Sequence, residues 1–376
     1  MSRRVLFFVW QAVNEKPPCV TQILALADMG TEVAVLTRNC SDEVMQEFRK
    51  RNIPVEYIRA KKCRNHLIQK AENYLNYRRR FRDFFRKYRT DDSILWVGSE
   101  QGVIRMWPFI RNIHPMVLDA LEFYEEDWYQ KGMRKIAPQV DVLTACELHR
   151  AAYMKDWWKL GRTPYVLPNK PYIHPRQKNM EGSTPELRAA IDSIRGKKTL
   201  LYQGGIGADR DLSLLAQALK KADSPYYLVL SGRTEPGAVE KIQEIYERTI
   251  YLGVLPAPLH LELMSHATIC VCFYKDNCIN NRYCAPNKIY EYAGFGIPML
   301  CNDIPGLTES VGQAGAAECV NFSDPDAIIA AIGQREGHYG DYCRAAEVFY
   351  DATDITELIR EVADDAFSRT EAEKRI

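Results

Sequence analysis

The stretch from Ala285 to Glu309 contains the residue types that a nucleotide site needs. Pro286 is suited to the first turn of a helix, where its missing N–H costs nothing, and Glu291 lies near the middle of that helix. In open α/β sheets, phosphate groups bind at the N-terminus of a helix that follows a parallel strand. A carboxylate one to two turns into the helix could accept hydrogen bonds from ribose hydroxyls. The spacing alone fits a plain strand–helix–strand unit with a surface glutamate equally well.

The elements that must position this stretch follow from short apolar runs that alternate with helix-period segments. In the first half, the predicted strands are Val5–Trp10, Glu32–Leu36, Val55–Ile58, Ile94–Val97, Met116–Leu118 and Val140–Thr144. In the second half, they are Leu200–Gln203, Tyr226–Leu230, Ile250–Leu252, Thr268–Phe273, Pro298–Cys301 and Glu318–Val320. Such alternation indicates parallel βαβ units, so the chain is predicted to form two α/β domains with doubly wound parallel sheets.

The domain boundaries are predicted from prolines and polar segments along the chain. Pro168 and Pro171, followed by a polar stretch, are typical of an interdomain linker. We predict a Rossmann-like N-terminal domain over residues 1–170, a linker over 171–197 and a Rossmann-like C-terminal domain over 198–353. Residues 354–376 are predicted to form a capped helix that packs back on the N-terminal domain.

The composition favours a globular protein of the cytoplasm. Apolar residues make up 46% of the 376 residues and charged residues 26%, which is ordinary for a soluble protein. No apolar run approaches the roughly 18 residues that a membrane-spanning helix needs. The 11 cysteines are scattered and odd in number, which fits reduced thiols rather than a disulfide or metal framework.

Charge is distributed unevenly along the chain. Residues 1–170 contain 29 Lys and Arg against 20 Asp and Glu, which gives +9, so the rest of the chain carries 1 − 9 = −8. Between Tyr74 and Arg89, aromatic residues recur among arginines at three-to-four-residue spacing. Such a helix could lie on the anionic inner face of a membrane, although an aromatic stripe usually faces a protein core. No base-reading module accompanies the charge, so nucleic acid is not a predicted partner.

The stretch that begins at Ala285 reads Pro286-x-Lys288-hydrophobic-x-Glu291, followed by a Gly-x-Pro step and Asp-Ile-Pro-Gly. This pattern resembles the most telling motif of the family-4 retaining glycosyltransferases, also described as glycosyl transferases group 1. Further segments occur in that family's order and spacing, namely Leu201–Leu212, Leu228–Gly232 and the hinge Val166–Pro171. The resemblance implies a GT-B fold, in which two Rossmann-like domains face a cleft. It also implies that the N-terminal domain binds the acceptor and the C-terminal domain the nucleotide sugar.

Residue by residue, the resemblance assigns roles at the donor end. Glu291 would bind the ribose of the donor nucleotide. Arg210 and Lys288 would neutralise its diphosphate, a leaving group whose charge must be stabilised, so both are predicted to be catalytic as well as donor-binding. The predicted donor-binding glycines are Gly204, Gly205, Gly207 and Gly232; the first three would let N–H groups approach the phosphates. The alternative for Arg210 is a solvated cation at the start of a helix.

Two positions depart from the family's pattern. Tyr283 stands where many relatives carry a second glutamate that contacts the donor sugar, so the identity of that sugar stays open. Leu121 replaces the usual histidine of a D-x-H-E segment, which leaves Asp119 and Glu122 as the predicted catalytic residues of the first domain. The alternative is an aspartate at a strand end and a glutamate that starts an acidic loop. Glu100, after the preceding strand, is a further candidate.

The predicted function is retaining transfer of a sugar from a UDP- or GDP-type sugar donor to a hydroxyl of a growing or lipid-linked glycan. Retention of configuration is implied by the resemblance alone. The protein is predicted to act in the cytoplasm, with the inner face of the membrane as an alternative place of action. No metal is inferred, because Asp211 and Asp324, each part of a D-x-D pattern, are predicted to start or cap helices. The donor is a substrate, and no cofactor is predicted. Two rivals are a nucleotide-sugar epimerase of the same fold and a non-catalytic partner subunit.

Overall fold

The computed structural model of the protein describes residues 3–58 and 66–373. It divides into two compact units. The first consists of Met1–Tyr172 together with Asp354–Ile376, and the second of Ile173–Thr353. Each unit contains one parallel β-sheet and its own apolar core.

The strands in chain order are β1 (Arg4–Phe8), β2 (Glu32–Thr37), β3 (Val55–Tyr57), β4 (Ser93–Val97), β5 (Met116–Ala120), β6 (Val142–Ala145), β7 (Tyr165–Val166), β8 (Thr199–Gln203), β9 (Tyr227–Ser231), β10 (Thr249–Tyr251), β11 (Ile269–Cys272), β12 (Met299–Asn302) and β13 (Ala317–Val320). The helices are α1 (Pro17–Asp28), α2 (Asp42–Lys50), α3 (His66–Tyr88), α4 (Glu100–Ile110), α5 (Asp127–Ile136), α6 (Leu148–Trp157), α7 (Pro185–Ile194), α8 (Ser213–Lys221), α9 (Ala238–Ile245), α10 (His260–Met264), α11 (Ile279–Arg282), α12 (Asn287–Gly294), α13 (Pro305–Leu307), α14 (Pro325–Gly337), α15 (Tyr339–Ala352) and α16 (Ile355–Glu373).

The first sheet has the strand order β3-β2-β1-β4-β5-β6-β7, and its neighbouring strands are parallel. Its strands are nearly continuous apolar runs because both faces are covered, and Phe7, Phe8 and Trp96 have no exposed surface. The C-terminal helix α16 also belongs to this unit, and its Ile359 and Val362 belong to the core of this sheet. The strand order reverses between β1 and β4, where open α/β sheets form a ligand crevice.

The second sheet has the order β10-β9-β8-β11-β12-β13 and is also parallel. Leu201 on β8 lies beside Cys270 on β11, and both belong to the core on one face of the sheet. Leu200 and Ile269 belong to the core on the other face. The reversal of strand order falls between β8 and β11, so the residues that follow these two strands meet at the carboxyl edge.

The segment predicted as a linker, residues 171–197, contains the helix α7. Leu187, Ile191 and Ile194 of this helix are buried in the second unit. They recur at a spacing of three to four residues, which is the helical period. Because polar residues surround them, the helix was not predicted from the sequence. The helices α4, α5, α6 and α15 were likewise not defined from the sequence. Residues 374–376 of the predicted C-terminal helix lie outside the described residues.

The aromatic stripe of α3 faces the interior of the first unit. Tyr77, Phe81 and Phe84 are buried, whereas the arginines between positions 78 and 86 are exposed. Tyr77, Phe81 and Phe84 therefore belong to the core, as the alternative for the stripe predicted, whereas Tyr74 at its start is 43% exposed. Within residues 3–58 and 66–373, no helix has both the length and the apolar character needed to cross a bilayer.

Candidate functional site

The candidate donor site lies at the carboxyl edge of the second sheet, where the strand order reverses. The turn Gly204–Gly207 follows β8, Tyr274 follows β11, and α12 begins at Asn287. A reversal of this kind leaves a crevice, and the N-terminus of a helix beside it favours anions. The predicted glycine-rich turn and the predicted helix thus belong to one edge of one sheet.

Two glycines of this edge bring the ends of β8 and β9 into close contact. Gly204 has a φ of 147° and Gly232 a φ of 143°, values that residues with a side chain rarely adopt. The Gly204 N–H donates a hydrogen bond of 2.9 Å to the Ser231 carbonyl, and a Cβ at Gly232 would overlap the Gly204 carbonyl oxygen. Gly232, predicted as a donor-binding residue, is therefore required for the packing of backbone on backbone.

The turn itself exposes backbone and already binds one carboxylate. At Gly205 no other atom lies within 4 Å of the position that a Cβ would take, and the Gly205 carbonyl accepts a hydrogen bond of 2.9 Å from the Tyr202 hydroxyl. At Gly207 a Cβ would overlap the Glu235 carboxylate, which accepts a hydrogen bond of 3.1 Å from the Ala208 N–H. The amide groups near Gly207 can thus bind an anion.

Two cationic side chains lie over the same aromatic ring. The Arg210 guanidinium carbon is 3.9 Å from the centre of the Tyr274 ring, and the Lys288 Nζ is 5.4 Å from it. Lys288 also lies 4.7 Å from the Tyr202 ring, and a Cβ on Gly204 would be 2.9 Å from its Nζ. Within the described part of the chain, no carboxylate forms an ion pair with Arg210 or Lys288. Arg210 donates hydrogen bonds to the Asp209 carbonyl and to Asn281 Oδ1, and Lys288 acts on the buried Glu291 carboxylate. An anion placed between the two cations would be stabilised by both.

The start of α12 adds to this positive potential. Pro286 is the residue immediately before the helix, with Asn287 as its first residue, so the proline lies one position earlier than predicted. In the described part of the chain, no side chain caps this end by a hydrogen bond, and the Ile289 N–H donates to the Pro286 carbonyl at 3.4 Å. The amide groups of Asn287 and Lys288 are the ones that a ligand could use, and the positive end of the helix dipole favours a phosphate there.

Glu291 is held one turn further into α12. Its carboxylate lies 3.4 Å from His260 Nε2, and its side chain is 14% exposed. Burial alone would raise the pKa of Glu291, but His260 and Lys288 hold this pKa below its ordinary value. The carboxylate is therefore ionised at neutral pH and can only accept hydrogen bonds.

His174 holds α12 in position by a hydrogen bond to its backbone and by ring packing. Its Nδ1 accepts a hydrogen bond of 3.0 Å from the Arg176 N–H, so its Nε2 carries the proton that is donated to the Glu291 carbonyl at 2.9 Å. Burial lowers the pKa of His174 to about 4, which keeps the ring neutral. A Cβ at Gly294 would lie 2.6 Å from the ring, and Phe295 packs edge-on at 4.3 Å.

Sequence reasoning missed Tyr202, Tyr274, His260 and His174. Tyr202 lies at the end of β8, and Tyr274 comes two residues after β11. The available signal was their place at the ends of the two strands that flank the reversal, where side chains face a crevice. His174 and His260 could not be found in this way, because they are distant in sequence from the residue they contact.

In the first unit, Asp119 lies in the interior. It has no exposed surface, and it accepts hydrogen bonds from Trp96 Nε1 at 3.0 Å and from the Thr144 hydroxyl at 2.6 Å. Burial raises the pKa of Asp119 to about 6, although these hydrogen bonds oppose the rise. Asp119, which we predicted as catalytic, therefore ties β4, β5 and β6 together in the free protein.

Glu122 and Glu100 lie near the carboxyl edge of the first sheet. The Glu122 side chain is 35% exposed, and its carboxylate is 3.8 Å from the buried Arg150 guanidinium. Glu100 is the first residue of α4, and neither of its carboxylate oxygens has a hydrogen-bond partner among the described residues. Glu100 is thus a buried acid without a hydrogen-bond partner among the described residues, whereas Glu122 is a partly exposed acid beside Arg150.

Asp324 has the capping role that was expected of it, since its Oδ1 accepts hydrogen bonds from the N–H groups of Asp326 and Ala327 at 3.0 and 3.2 Å. Asp211 accepts a hydrogen bond of 2.9 Å from the Ser213 N–H at the start of α8. Among the residues that the structure describes, no group of three or more His, Cys, Asp or Glu side chains is arranged to hold a metal ion.

Comparison with known proteins finds a similar family for most of the second unit. Residues 197–335 match the family described as "Glycosyl transferases group 1". No curated protein matches the chain. The match includes Arg210, Lys288 and Glu291, and it confirms the resemblance predicted for this part of the chain. It therefore supports sugar transfer as the chemistry of this protein.

Solved structures are similar over nearly the whole chain. The structure of Anabaena Alr3699/HepE in complex with UDP-glucose has a TM-score of 0.68 at 14% identity, covering 96% of this chain and 98% of that one. WaaG, a glycosyltransferase involved in lipopolysaccharide biosynthesis, has a TM-score of 0.61 at 14% identity, with 96% and 99% covered. Sucrose-phosphate synthase from Thermosynechococcus elongatus has a TM-score of 0.64 at 14% identity, with 99% of both chains covered. These likenesses confirm the predicted GT-B class of two parallel-sheet α/β domains.

Proposed function

We propose that the protein transfers a sugar from a nucleoside-diphosphate sugar to a hydroxyl of a glycan acceptor, with retention of configuration. The observation that carries the proposal is the pair of cations over the Tyr274 ring, Arg210 and Lys288, which have no carboxylate partner among the described residues. They lie beside the glycine-rich turn and the uncapped start of α12. Two fixed cations and exposed amide groups are suited to a diphosphate.

The chemistry requires this charge at the leaving group. As the glycosidic bond breaks, negative charge develops on the oxygen of the β-phosphate that leaves with the nucleotide. Arg210 and Lys288 stabilise that charge, and they need no reorganisation because the Tyr274 and Tyr202 rings already hold them. The amide groups of Gly205 and Gly207 are proposed as further donors to the phosphates, whereas the Gly204 N–H is bound to the Ser231 carbonyl, so Gly204 shapes the turn instead. Both cations are therefore assigned to catalysis as well as to donor binding.

Glu291 is assigned to the ribose of the donor. Its ionised carboxylate can accept hydrogen bonds from both ribose hydroxyls, and the His260 contact and the His174 bond to its carbonyl fix its orientation. A carboxylate that binds a vicinal diol in this way gives the site specificity for a nucleotide over inorganic diphosphate. Donors of the UDP or GDP type are proposed, and Alr3699/HepE was solved with UDP-glucose.

The acceptor is assigned to the first unit, with Glu122 as the acidic side chain that can reach it. In this proposal Asp119 supports the site indirectly: its hydrogen bonds hold β5, and Glu122 follows that strand in the chain. The exposed arginines of α3 would bring the protein to an anionic membrane mainly by charge, since Tyr77, Phe81 and Phe84 of the stripe are buried. The protein is proposed to act in the cytoplasm or at the inner face of the membrane.

Nucleotide binding is the first test. Thermal unfolding is followed with UDP, GDP, CDP and dTDP, and one of them at about 100 times its Kd should stabilise the second unit by about 2.7 kcal/mol. Arg210→Ala and Lys288→Ala should each weaken that nucleotide by about tenfold or more, since each loses a charge-assisted contact. Lys220→Ala, which removes an exposed cation of α8, is the matched control. If no nucleotide binds, the proposal is wrong.

The reaction is tested by product analysis. With the matching sugar donor, an acceptor glycan should gain one sugar, and the anomeric proton coupling of that sugar should show the configuration of the donor. A donor whose sugar changes configuration without transfer would identify an epimerase instead. A Glu291→Ala variant that no longer binds nucleotide but keeps full biological function would identify a partner subunit.

A further inference from the structure

The starting point is the carboxyl group of Glu100. The residue has no exposed surface, and both of its carboxylate oxygens are buried without a hydrogen-bond partner in residues 3–58 and 66–373. A buried polar group without a partner destabilises the fold, whereas an apolar residue at the same position would not. The backbone N–H groups of Glu100 and Glu122 act on this carboxyl and lower its pKa, but among the described residues none forms a hydrogen bond with it. The carboxyl therefore has unused capacity for hydrogen bonds.

Glu100 occupies a ligand-binding position of the first sheet. It lies three residues after the end of β4. The preceding residue, Ser99, caps α4, because its hydroxyl accepts a hydrogen bond of 3.2 Å from the Gly102 N–H. The strand order of this sheet reverses between β1 and β4, so Glu100 stands at the edge where open α/β sheets bind ligands. The charged and polar groups that act on its carboxyl are Lys16, Glu122, Tyr124, Tyr129 and Cys19.

An exposed aromatic side chain belongs to the same cluster. Trp128, at the start of α5, is 66% exposed, and it meets Tyr129 edge-on at 6.0 Å. Tyr129 in turn meets Tyr124 edge-on at 5.2 Å and donates a hydrogen bond of 3.2 Å to the Glu122 carbonyl. An indole ring that is two-thirds exposed, in a segment of the chain with several carboxyl groups, is a surface for a ligand with one apolar face and several hydroxyls.

The charge of this edge restricts the ligand further. The segment from Asp119 to Asp127 contains five carboxylates and no Lys or Arg, although the first domain as a whole is basic. The cations that act on the cluster, Lys16 and Arg150, each face one of the two glutamates, Glu100 and Glu122. An anionic ligand would thus meet like charge here, which disfavours its binding.

We propose that Glu100, Glu122 and Trp128 form the acceptor site and that this site takes an uncharged carbohydrate rather than a sugar phosphate. The inference rests on the proposed function, because only a transferase has an acceptor. It adds the chemical class of that acceptor. The apolar face of a sugar ring packs on the Trp128 indole. Ring hydroxyls bind the Glu122 carboxylate, and one of them hydrogen-bonds the Glu100 carboxyl, which the free protein buries.

The chemistry of a hydroxyl matches that of Glu100. A sugar hydroxyl both donates and accepts hydrogen bonds, and so does a carboxylic acid that keeps its proton. Burial raises the pKa of Glu100 to about 7, with repulsion from Glu122 acting in the same direction. A phosphate dianion in the same place would repel the ionised form and leave the protonated form with a single donor.

Saturation-transfer difference NMR tests the site on the intact chain in the presence of UDP. The probes are methyl α-glucopyranoside, methyl β-galactopyranoside, methyl α-mannopyranoside and glucose 6-phosphate. At least one neutral glycoside should bind, and glucose 6-phosphate should bind at least about tenfold more weakly than methyl α-glucopyranoside. Glucose 6-phosphate that binds as tightly as the neutral glucoside overturns the proposal, and so does a panel in which no neutral glycoside binds.

Variants show which residues bind the glycoside. Trp128→Ala and Glu100→Met should each weaken the bound glycoside by about tenfold, because one loses the stacking surface and the other the hydrogen-bonding group. Glu100→Gln keeps a donor and an acceptor and should retain binding. Tyr74→Ala, which removes a 43% exposed aromatic ring from α3, is the matched control and should have no effect. Unchanged binding in Trp128→Ala overturns the assignment.

UDP binding separates this inference from the proposed function. The thermal shift with UDP and its related nucleotides reports the second unit, whereas the NMR experiment reports the first. A protein that binds nucleotide but no neutral glycoside contradicts the acceptor class and leaves the donor site standing. A protein that binds a neutral glycoside at Trp128 but no nucleotide contradicts the donor site and supports a carbohydrate site on the first unit.

Discussion

Replacement of Glu100 by glutamine should stabilise the first unit near pH 8 and have little effect near pH 5. Burial raises the pKa of Glu100 from 4.5 to about 7 in the folded protein, and Glu122 adds to the rise while Lys16 opposes it. The glutamine side chain has the shape of the protonated acid and cannot ionise. The variant therefore removes the cost of a buried charge and keeps the packing.

The sign follows from proton linkage. Below about pH 4.5 the carboxyl is protonated in both the folded and the unfolded chain, so it contributes no pH dependence. As the pH rises from there, the unfolded chain loses the proton before the folded one, and the free energy of unfolding falls until the pH passes about 7. The difference of about 2.5 between the two pKa values corresponds to about 3 kcal/mol. Because Glu100 has no exposed surface, solvent screening does not reduce this figure.

Tryptophan fluorescence provides an assay for the first unit alone. All six tryptophans of the chain lie in that unit, so urea unfolding followed by their emission does not report the second unit. Wild type and Glu100→Gln are compared near pH 5 and near pH 8. Asp119, whose pKa is also raised, titrates in both proteins and cancels in the difference.

Asp119→Asn is the matched comparison. The amide oxygen can replace one acceptor of Asp119, but its NH2 group would face either Trp96 Nε1 or the Thr144 hydroxyl. An unsatisfied donor costs about 1–3 kcal/mol, so Asp119→Asn should gain less near pH 8 than Glu100→Gln or should lose stability. A Glu100→Gln difference that is the same at both pH values would refute the reasoning, because the glutamate would then not carry a raised pKa.

The other predictions concern the second unit and α3. Gly232→Ala should destabilise the second unit by several kcal/mol, since the added Cβ would overlap the Gly204 carbonyl and the φ of 143° is strained; far-UV circular dichroism melts measure this. His174→Ala should cost about 2–4 kcal/mol and weaken nucleotide binding, because the ring that supports Gly294 and the Glu291 carbonyl is lost; melts and calorimetric titration measure both effects. Reversal to glutamate of three exposed arginines of α3 should abolish sedimentation with phosphatidylserine vesicles, at about 1 kcal/mol for each charge; these are Arg79, Arg82 and Arg86.

Each of these has a control and a contradicting outcome. Gly237→Ala also has a positive φ but open space around its Cβ, so it should be the milder change, and equal losses would contradict the packing argument. His338→Ala removes an exposed histidine of the same unit and should leave nucleotide binding unchanged. Wild-type protein that does not sediment with anionic vesicles would exclude the membrane contact.

The architecture and the donor motif could be predicted from the sequence because both are local. Apolar strands buried on both faces, separated by helix-period segments, indicate a parallel sheet without any knowledge of contacts, and the strand β8 was placed within one residue. The spacing of Lys288 and Glu291 is a property of one helix. The predicted motif therefore carried over to the structure in its proper place, apart from Pro286, which precedes the helix instead of beginning it.

What only the tertiary structure decided is the surroundings of each side chain. Asp119, a predicted catalytic residue, and Glu100, a further candidate, both lie near strand ends, yet Asp119 is bound by Trp96 and Thr144 while Glu100 has no hydrogen-bond partner among the described residues. Tyr274 became the ring beneath two cations because β8 and β11 are neighbours in the sheet, although Arg210 and Tyr274 are far apart in the sequence. Burial and charge at a site depend on contacts between segments that are distant in the sequence. A local sequence pattern contains no information about those contacts.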